Sequence, residues 1–183
     1  MDDIKVNLMD KSGIERAITR IAFEIIEKNH GKENVCIIGI QRRGAVLARR
    51  IAQKISEIEK KDIPLGMIDI TFYRDDLSML DQHPILNKTE IEFTVDKKII
   101  VIVDDVLYTG RTVRAAIEVL MDLGRPSNVQ LAVLIDRGHR ELPIRADFVG
   151  KNVPTANDEV IHVMVDEFDG QEQVTICKLQ KGR

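Results

Sequence analysis

Five consecutive β-branched residues, Ile99–Val103, are the feature that most restricts how this chain can fold. A strand that is apolar at every position is typical of a central strand buried on both faces of a parallel sheet. Strand and helix patterns alternate along the rest of the chain, which favours an α/β fold with a mostly parallel central sheet flanked by helices. Because the chain has 183 residues, we expect a single domain over residues 1–183.

The other elements are predicted from hydrophobic periodicity and turn residues. Ser12 and Glu15 have the spacing of a capping box and predict a helix that starts there and stops at Gly31. Further helices are expected at Ala45–Ile58 and Arg111–Leu123, and strands at Val35–Ile40, Leu65–Tyr73, Ile91–Thr94, Val129–Ile135, Phe148–Val149, Val160–Val165 and Val174–Leu179. The polar segment Arg74–Asn87 has no period, and a loop of this length is either functional or disordered.

Composition excludes several classes of protein. Hydrophobic residues make up 44% and charged residues 31% of the chain, which is an ordinary globular balance. No apolar run approaches the roughly 20 residues that a membrane-spanning helix needs, and the acidic N-terminus does not resemble a secretory signal. We therefore expect a cytoplasmic protein with no membrane partner. Two cysteines and four scattered histidines suit neither a disulfide framework nor a zinc site.

Charge is distributed unevenly. The net charge of −3 argues against a protein that coats nucleic acid indiscriminately. However, Gln41–Lys54 holds five Lys and Arg residues and no acidic residue, whereas Asp158–Glu172 holds six acidic residues and no Lys or Arg. A local basic face is therefore compatible with the acidic total.

Two carboxylates follow the central strand directly. Asp104 and Asp105 stand at its carboxyl end, the edge at which open parallel sheets bind ligands. Thr109–Thr112 then starts a helix, where a glycine lets a ligand approach the backbone, and free N–H groups and two threonine hydroxyls suit a phosphate. Carboxylates repel phosphate but accept hydrogen bonds from vicinal hydroxyls. A ribose 5-phosphate matches both halves, with its hydroxyls on the aspartates and its phosphate on the threonine loop.

These residues taken alone leave alternatives open. The acidic pair also fits a phospho-acceptor site of another α/β protein, followed by an ordinary helix cap. The Walker-type Gly-x-x-x-x-Gly-Lys pattern is absent from the sequence, which argues against a P-loop nucleotidase. Arg42, Arg43 and Gly44, which follow the strand Val35–Ile40, suit a diphosphate but equally describe the basic flank of a surface helix.

Longer strings carry a family resemblance. Val101–Val113 resembles the 5-phosphoribosyl 1-diphosphate (PRPP) motif of type I phosphoribosyltransferases. Gly39–Gly44, Asp69–Leu77, Asp136–Asp147 and Gly150–Thr155 are similar to strings of the bifunctional PyrR family, attenuation regulators of pyrimidine operons with uracil phosphoribosyltransferase activity. The resemblance covers nearly the whole chain. It implies a flexible loop over the active site, conversion of uracil and PRPP to UMP and diphosphate, and UMP-responsive binding to leader mRNA.

The resemblance also implies which residues form the sites. Asp104 and Asp105 would be catalytic, because they orient the ribose and stabilise positive charge that develops on it. The 5′-phosphate and ribose of PRPP would contact Asp104, Asp105, Val106, Leu107, Tyr108, Thr109, Gly110, Arg111 and Thr112, and the diphosphate would contact Arg42, Arg43 and Gly44. Uracil would contact Arg137 and Ile161, the flexible loop would include Tyr73 and Arg74, and RNA would contact Thr19, Arg20, His139, Arg140, Arg145 and Lys151. Mg²⁺ would arrive with PRPP, and a homodimer or higher homo-oligomer is expected.

The RNA residues are expected to form a basic face distinct from the PRPP loop, with Arg16 and Arg20 at i and i+4 on the first helix. The alternative is a solvated helix face and a salt-bridged loop, and Arg137 could equally form a structural salt bridge. The chain departs from the family at Arg42, where relatives usually have threonine, and at Phe23, where they often have histidine. Two other functions stay open: a salvage enzyme for another base such as a purine, and a regulator that has lost useful catalysis.

Overall fold

The computed structural model describes residues 3–31, 33–70 and 89–178. Its elements, in chain order, are β1 Asp3–Asp10, α1 Lys11–Lys28, β2 Val35–Ile40, α2 Arg43–Glu59, β3 Leu65–Ile68, β4 Ile99–Leu107, α3 Arg111–Leu123, β5 Asn128–Asp136, β6 Phe148–Asn152, β7 Glu159–Met164, α4 Asp166–Asp169 and β8 Gln173–Lys178. The expected flexible loop, with Tyr73 and Arg74, lies outside the described residues.

Five strands form a parallel sheet in the order β3-β2-β4-β5-β6. β4 is the middle strand, and its residues from Ile100 to Asp104 are all buried. The expected central strand and the parallel α/β architecture are thus confirmed. The carboxyl ends of β2, β4 and β5 meet at one edge of the sheet, which brings the segments that follow them together.

The sheet is buried on both faces, and alternate residues of each strand belong to different clusters. Ile37 and Val101 pack in the cluster that contains the buried sides of α1 and α2. Ile38 and Ile102 pack in the cluster that contains the buried side of α3. Each fully buried isoleucine side chain contributes about 1.5–3 kcal/mol relative to an exposed one. Burial on both faces is the physical reason for the unbroken β-branched run.

A second, antiparallel sheet is formed by the two ends of the chain, in the order β1-β8-β7. A strand at Asp3–Asp10 and the separation of the last two strands from the parallel sheet were not predicted. The signal was present, since Ile4, Val6 and Leu8 alternate with polar residues. What the sequence could not show is that this strand pairs with β8, which lies more than 160 residues away along the chain.

The first helix begins earlier than predicted. Asp10 is the N-cap of α1, and its carboxylate accepts a hydrogen bond from the Gly13 N–H at 2.7 Å. The Ser12 hydroxyl instead accepts a hydrogen bond from Arg16 at 2.5 Å, so the predicted capping box is wrong. Because Asp10 also stands three residues before an N–H of the first turn, it serves the same purpose.

In the described part of the chain, no helix has the length and apolar character to cross a bilayer.

The segment Ile91–Thr94 is not a strand, contrary to expectation. The preceding residue, Glu90, forms an isolated antiparallel bridge with Met67, with N–H···O distances of 2.8 and 2.9 Å. This single bridge joins Glu90 to β3, and the chain then continues to β4. β3 is also shorter than the predicted Leu65–Tyr73 and ends at Ile68.

The basic and acidic stretches of the sequence pair with each other. Arg43 contacts Asp169 at 2.8 Å, and Arg50 contacts Glu167 at 2.9 Å and also pairs with Glu172. The Glu172 side chain is only 3% exposed. Two residues of the basic stretch, Arg43 and Arg50, therefore anchor the segment between β7 and β8, whereas Arg42 and Arg49 are exposed.

Candidate functional site

The two aspartates stand at the carboxyl end of β4, as predicted. Asp104 is 7% exposed, and its Oδ1 accepts a hydrogen bond from the Asp105 N–H at 3.0 Å. Asp105 is half-buried, and its Oδ1 accepts a hydrogen bond from the Val106 N–H at 2.8 Å. These backbone donors fix the carboxylates on the central strand. The pair thus presents preorganised acceptor oxygens at the edge of the sheet.

Gly44 places the start of α2 against this edge. A Cβ on Gly44 would lie 2.6 Å from the Val103 carbonyl oxygen, closer than real Cβ contacts, and a tight 3.1 Å from the Asp104 Cα. Only glycine permits this approach of helix and strand. The peptide bond between Gln41 and Arg42, just before the helix, is cis. Arg42 is exposed, Arg43 is half-buried and near Asp105, and Gly44 lies against Asp104, so two of the three predicted diphosphate residues lie next to the predicted ribose residues.

Arg43 links Asp105 to α4. Burial raises the pKa of the Asp105 carboxyl above its ordinary value, against the opposing effects of the Val106 N–H and the positive charge of Arg43. On its other side Arg43 donates to Asp169, with an Nη2–Oδ1 distance of 2.8 Å. Burial acts to raise the pKa of Asp169 too, but the hydrogen bonds from Arg43 and the Val165 N–H outweigh it, and that pKa is lowered. Asp169 therefore holds Arg43 close to the carboxylate pair.

The loop between β4 and α3 forms a small cavity. Gly110 is the N-cap of α3 with a φ of 93°, a left-handed conformation that favours glycine. The Thr109 Oγ1 accepts a hydrogen bond from the Arg111 N–H at 3.3 Å. The cavity has a volume of about 260 Å³, and its lining consists of Asp104, Val106, Leu107, Tyr108, Thr109, Gly110, Arg111, Thr112, Val113 and Glu141. Asp104 and the whole predicted phosphate loop thus line one cavity.

The segment after β5 packs behind this loop. The Thr109 carbonyl accepts hydrogen bonds from the N–H groups of Glu141 and Leu142, at 3.0 and 3.2 Å. The Arg111 Nε donates to Glu141 Oε2 at 2.7 Å. Arg140 donates to the carbonyls of Leu107 and Tyr108 from the same side. Arg140, which was expected on an RNA face distinct from the PRPP loop, thus lies in contact with that loop, and its role in RNA binding stays a prediction.

Arg137 is 6% exposed and lies over the Tyr108 ring, with its guanidinium carbon 4.1 Å from the ring centroid. Its Nε donates to Thr155 Oγ1 at 3.0 Å, and its Nη2 donates to the Glu159 carbonyl at 2.7 Å. The predicted base-contacting arginine thus lies beside the phosphate loop. These contacts are to a hydroxyl and a carbonyl and give no sign of the salt bridge that was the alternative.

Ile161 lies on β7 of the antiparallel sheet, where it is paired with Ile176 of β8. Its side chain is 7% exposed and packs in the cluster that also contains Ile135 of β5. The Ile161 side chain is thus a core group.

The predicted RNA residues fall into separate groups. Arg20 and Lys151 line one groove of about 660 Å³ between α1, β1 and β6; its lining consists of Asn7, Leu8, Met9, Asp10, Gly13, Arg16, Ala17, Arg20, Gly150 and Lys151. Arg20 also donates to the carbonyls of Val149 and Gly150, at 3.2 and 2.5 Å. Thr19 is half-buried on the same helix, near Phe23, which is 53% exposed.

The remaining two members lie in the segment after β5. Arg145 is exposed. His139 has a φ of 59°, and its Nε2 lies 2.5 Å from the Thr155 carbonyl oxygen. Its ring meets the Tyr108 ring edge-on, with 6.1 Å between centroids. The His139 ring thus contacts Tyr108 of the phosphate loop, whereas Arg145 is exposed to solvent.

Sequence reasoning missed three contributors to the site. Asp169 holds Arg43, Glu141 holds Arg111, and Thr155 holds Arg137 and His139. Only Asp169 could have been found from the sequence, because it belongs to the acidic stretch Asp158–Glu172, which is complementary in charge to the basic stretch Gln41–Lys54. The other two depend on loop conformations that no local pattern specifies.

The chain matches the family model of the phosphoribosyl transferase domain over residues 6–167. Among curated proteins it is 65% identical over 178 residues to the bifunctional protein PyrR of Acetivibrio thermocellus, which covers 97% of both chains. It is 56% identical over 172 residues to the bifunctional protein PyrR of Clostridioides difficile, covering 94% of this chain and 97% of that one.

Solved structures agree on the fold. The hypoxanthine phosphoribosyltransferase of Trypanosoma cruzi has a TM-score of 0.73 at 15% identity and covers 97% of this chain and 98% of its own. A hypoxanthine-guanine phosphoribosyltransferase of Bacillus anthracis has a TM-score of 0.70 at 19% identity and covers 97% of this chain and 99% of its own. With the carboxylate pair, the glycine-led loop and relatives this similar over nearly the full length, the chain belongs to the phosphoribosyltransferase family and, within it, to the bifunctional PyrR family.

Proposed function

We propose that this protein transfers the phosphoribosyl group of PRPP to uracil, giving UMP and diphosphate, and that it also binds pyrimidine-operon leader RNA to regulate transcription by attenuation. The observation that carries the transferase is the carboxylate pair at the end of β4, with Asp104 buried and Asp105 half-buried, directly joined to a loop suited to phosphate. Family membership with proteins named bifunctional supports the pairing of the two activities.

The carboxylates supply electrostatic stabilisation. Transfer forms a bond from a uracil nitrogen to the ribose C1 and breaks the bond from C1 to a diphosphate oxygen, and the nitrogen loses its proton. Positive charge develops on the ribose while the bonds exchange. Asp104 and Asp105 accept hydrogen bonds from the ribose hydroxyls and stabilise that charge, which is positioning and electrostatics without a covalent intermediate on the protein.

Anionic groups are bound on either side of the pair. The loop Thr109–Thr112 offers N–H groups and hydroxyls to the 5′-phosphate at the start of α3. Arg42 and Arg43 offer guanidinium groups to the diphosphate at the start of α2. The two helix starts therefore hold the two ends of PRPP, with the ribose between them over the carboxylates.

Mg²⁺ fits this arrangement as an ion that accompanies PRPP. Asp104 and Asp105 present carboxylate oxygens, the ligand type that Mg²⁺ prefers. The described residues contain no group of three or more His, Cys, Asp or Glu side chains arranged to hold a metal, so most ligands would come from the substrate and water. When bound, the ion supplies charge neutralisation that makes diphosphate a better leaving group.

Uracil would lie beside the phosphate loop, between Arg137 and β7. Arg137 lies on Tyr108 of the phosphate loop, and a guanidinium there offers donors to the carbonyl oxygens of uracil. The backbone of Ile161 on β7 would meet the polar edge of the base. The two solved phosphoribosyltransferases compared above, named for hypoxanthine and for hypoxanthine and guanine, are 15% and 19% identical and bear on the fold alone, so they do not favour a purine. The protein would act as a homodimer or higher oligomer.

Replacing the carboxylate pair should abolish most of the transferase activity. In Asp104→Asn/Asp105→Asn, each lost charge-assisted hydrogen bond costs about 1.5–3 kcal/mol, so kcat/KM for PRPP should fall by two orders of magnitude or more. The measurement is UMP formation from uracil, with circular dichroism to check folding. Asp122→Asn, at the exposed end of α3, is the matched control. Activity of the double variant within twofold of the unchanged protein would overturn the ribose assignment.

The charge of Arg43 should set the acid limb of the pH profile. Arg43 lowers the pKa of Asp105, against burial, which raises it. Its removal in Arg43→Gln should raise that pKa further, so the carboxylate is lost at a higher pH and the acid limb of kcat/KM for PRPP moves upward. Arg42→Gln removes an equal charge from an exposed neighbour and should leave the limb in place. An unmoved limb in Arg43→Gln would contradict the electrostatic link.

RNA binding should depend on the accessible basic residues. Lys151 lines the groove and Arg145 is exposed, so Lys151→Gln and Arg145→Gln should each weaken binding to leader RNA and reduce the salt slope by about 0.7 per lost phosphate contact. UMP formation should continue in both variants. Filter binding at several salt concentrations measures this, with Arg49→Gln on the exposed side of α2 as the control. Unchanged RNA affinity in both variants would exclude this surface.

A further inference from the structure

Thr155 lies between two residues that the family resemblance assigns to different ligands, Arg137 to uracil and His139 to RNA. The Thr155 hydroxyl accepts a hydrogen bond from the Arg137 Nε at 3.0 Å and lies 3.4 Å from the Arg137 carbonyl oxygen. The Thr155 carbonyl oxygen lies 2.5 Å from the His139 Nε2. One half-buried threonine thus contacts one residue of each expected site, with its side chain on one side and its backbone on the other.

The segment that carries Thr155 is fixed on both sides of it. The Val153 N–H donates to the Asp136 carbonyl at 2.8 Å, which attaches the segment to the end of β5. The Ala156 N–H donates to the Glu159 carboxylate, also at 2.8 Å, which attaches the segment to the start of β7. Thr155 is therefore held between the end of one strand and the start of another.

The two contacts of Thr155 lead from the interior to the surface. Arg137 is 6% exposed, and its Nη2 donates to the Glu159 carbonyl at 2.7 Å, whereas His139 is exposed. Because a carbonyl oxygen only accepts hydrogen bonds, the His139 Nε2 carries the hydrogen, and its Nδ1 is left to meet RNA. Thr155 therefore joins a buried guanidinium to an exposed imidazole and determines which imidazole nitrogen is available.

Tyr108 stands beside both residues, but its contacts differ in kind. The Arg137 guanidinium carbon lies 4.1 Å from the Tyr108 ring centroid, and the His139 ring meets the same ring edge-on with 6.1 Å between centroids. Ring contacts are broad in direction, whereas a hydrogen bond weakens steeply when its donor angle falls below about 120°. The orientation of the imidazole is therefore determined by Thr155.

A ligand at the uracil site would restrict this chain of contacts. A base that accepts hydrogen bonds from Arg137 fixes the guanidinium plane, and the guanidinium then fixes Thr155 and, through its carbonyl, His139. When one ligand orders a group that a second ligand also requires, the second has less conformational entropy to remove and binds more tightly. The geometry thus favours positive coupling between the base and RNA.

We propose that Thr155 is a positioning residue that couples the uracil site to the RNA site, so that a bound uracil nucleotide strengthens RNA binding by ordering His139. The inference rests on the proposed function and names how UMP regulates it. In this role Thr155 contacts neither ligand. Because coupling between two binding sites is reciprocal, RNA should strengthen UMP binding by the same factor.

The test measures a coupling factor, the Kd for leader RNA without UMP divided by the Kd with saturating UMP. Valine at Thr155 keeps the volume but accepts no hydrogen bond, whereas serine keeps the hydroxyl. The factor should be on the order of 5–150 in the unchanged protein and Thr155→Ser, and within about twofold of one in Thr155→Val. RNA affinity without UMP should change little. Thr94→Val is the matched control, because the exposed Thr94 hydroxyl accepts from the Asp96 N–H at 3.3 Å in the loop before β4.

A second readout needs neither RNA nor catalysis. The imidazole ¹⁵N resonances of His139, assigned with His139→Gln, should shift when UMP binds to the unchanged protein and to Thr155→Ser, and stay in place in Thr155→Val. If Thr155→Val does not fold, Thr155→Ala removes the same hydroxyl. A coupling factor in Thr155→Val equal to that of the unchanged protein would overturn the proposal, as would a Thr155→Ser variant as uncoupled as Thr155→Val.

Failure of the proposed function would look different. If UMP left the RNA affinity of the unchanged protein unaltered, UMP-responsive regulation would be wrong for this protein. The response of the His139 imidazole to UMP would then still decide whether Thr155 links the two residues.

Discussion

The close approach of α2 to β4 at Gly44 is the constraint on which the site depends. Without a side chain at this position, the helix start lies against the Val103 carbonyl and the Asp104 backbone. This brings Arg43 close enough to lower the pKa of Asp105, which burial raises. Burial still leaves the pKa of Asp105 above its ordinary value, so the Val106 N–H and the charge of Arg43 both help to retain the ionised form. The ionised form stabilises positive charge better than the neutral one.

Acidic residues of α4 and of the turn before β8 hold two arginines of α2 in position. Arg43 and Arg50 of α2 pair with Asp169 and with Glu167 and Glu172, which flank or belong to α4. Exposed ion pairs contribute little to stability, but Glu172 is almost fully buried and Asp169 is largely so. The segment between β7 and β8 thus determines where Arg43 and Arg50 point. On the opposite side of the carboxylates, the segment after β5 fixes the phosphate loop, because the N–H groups of Glu141 and Leu142 donate to the Thr109 carbonyl.

Much of the fold and half of the site could be predicted from the sequence for local reasons. The run Ile99–Val103 indicates burial on both faces, and the two aspartates and the glycine-led helix start follow it without interruption. Chemistry confined to one continuous segment is readable, because the backbone alone determines which groups come together. The rest depends on partners distant in the sequence: the pairing of β1 with β8, the contact of Arg43 with Asp169, and the inward turn of Arg140.

The most direct test of the account is a comparison of acceptor bases with the unchanged protein. Diphosphate release and nucleotide formation would be measured with PRPP and, in turn, uracil, hypoxanthine and guanine. The arrangement of Arg137 and β7 beside the phosphate loop predicts diphosphate release and UMP formation with uracil, and no turnover with either purine. Faster turnover of hypoxanthine or guanine than of uracil would contradict the assignment of this protein as a uracil phosphoribosyltransferase.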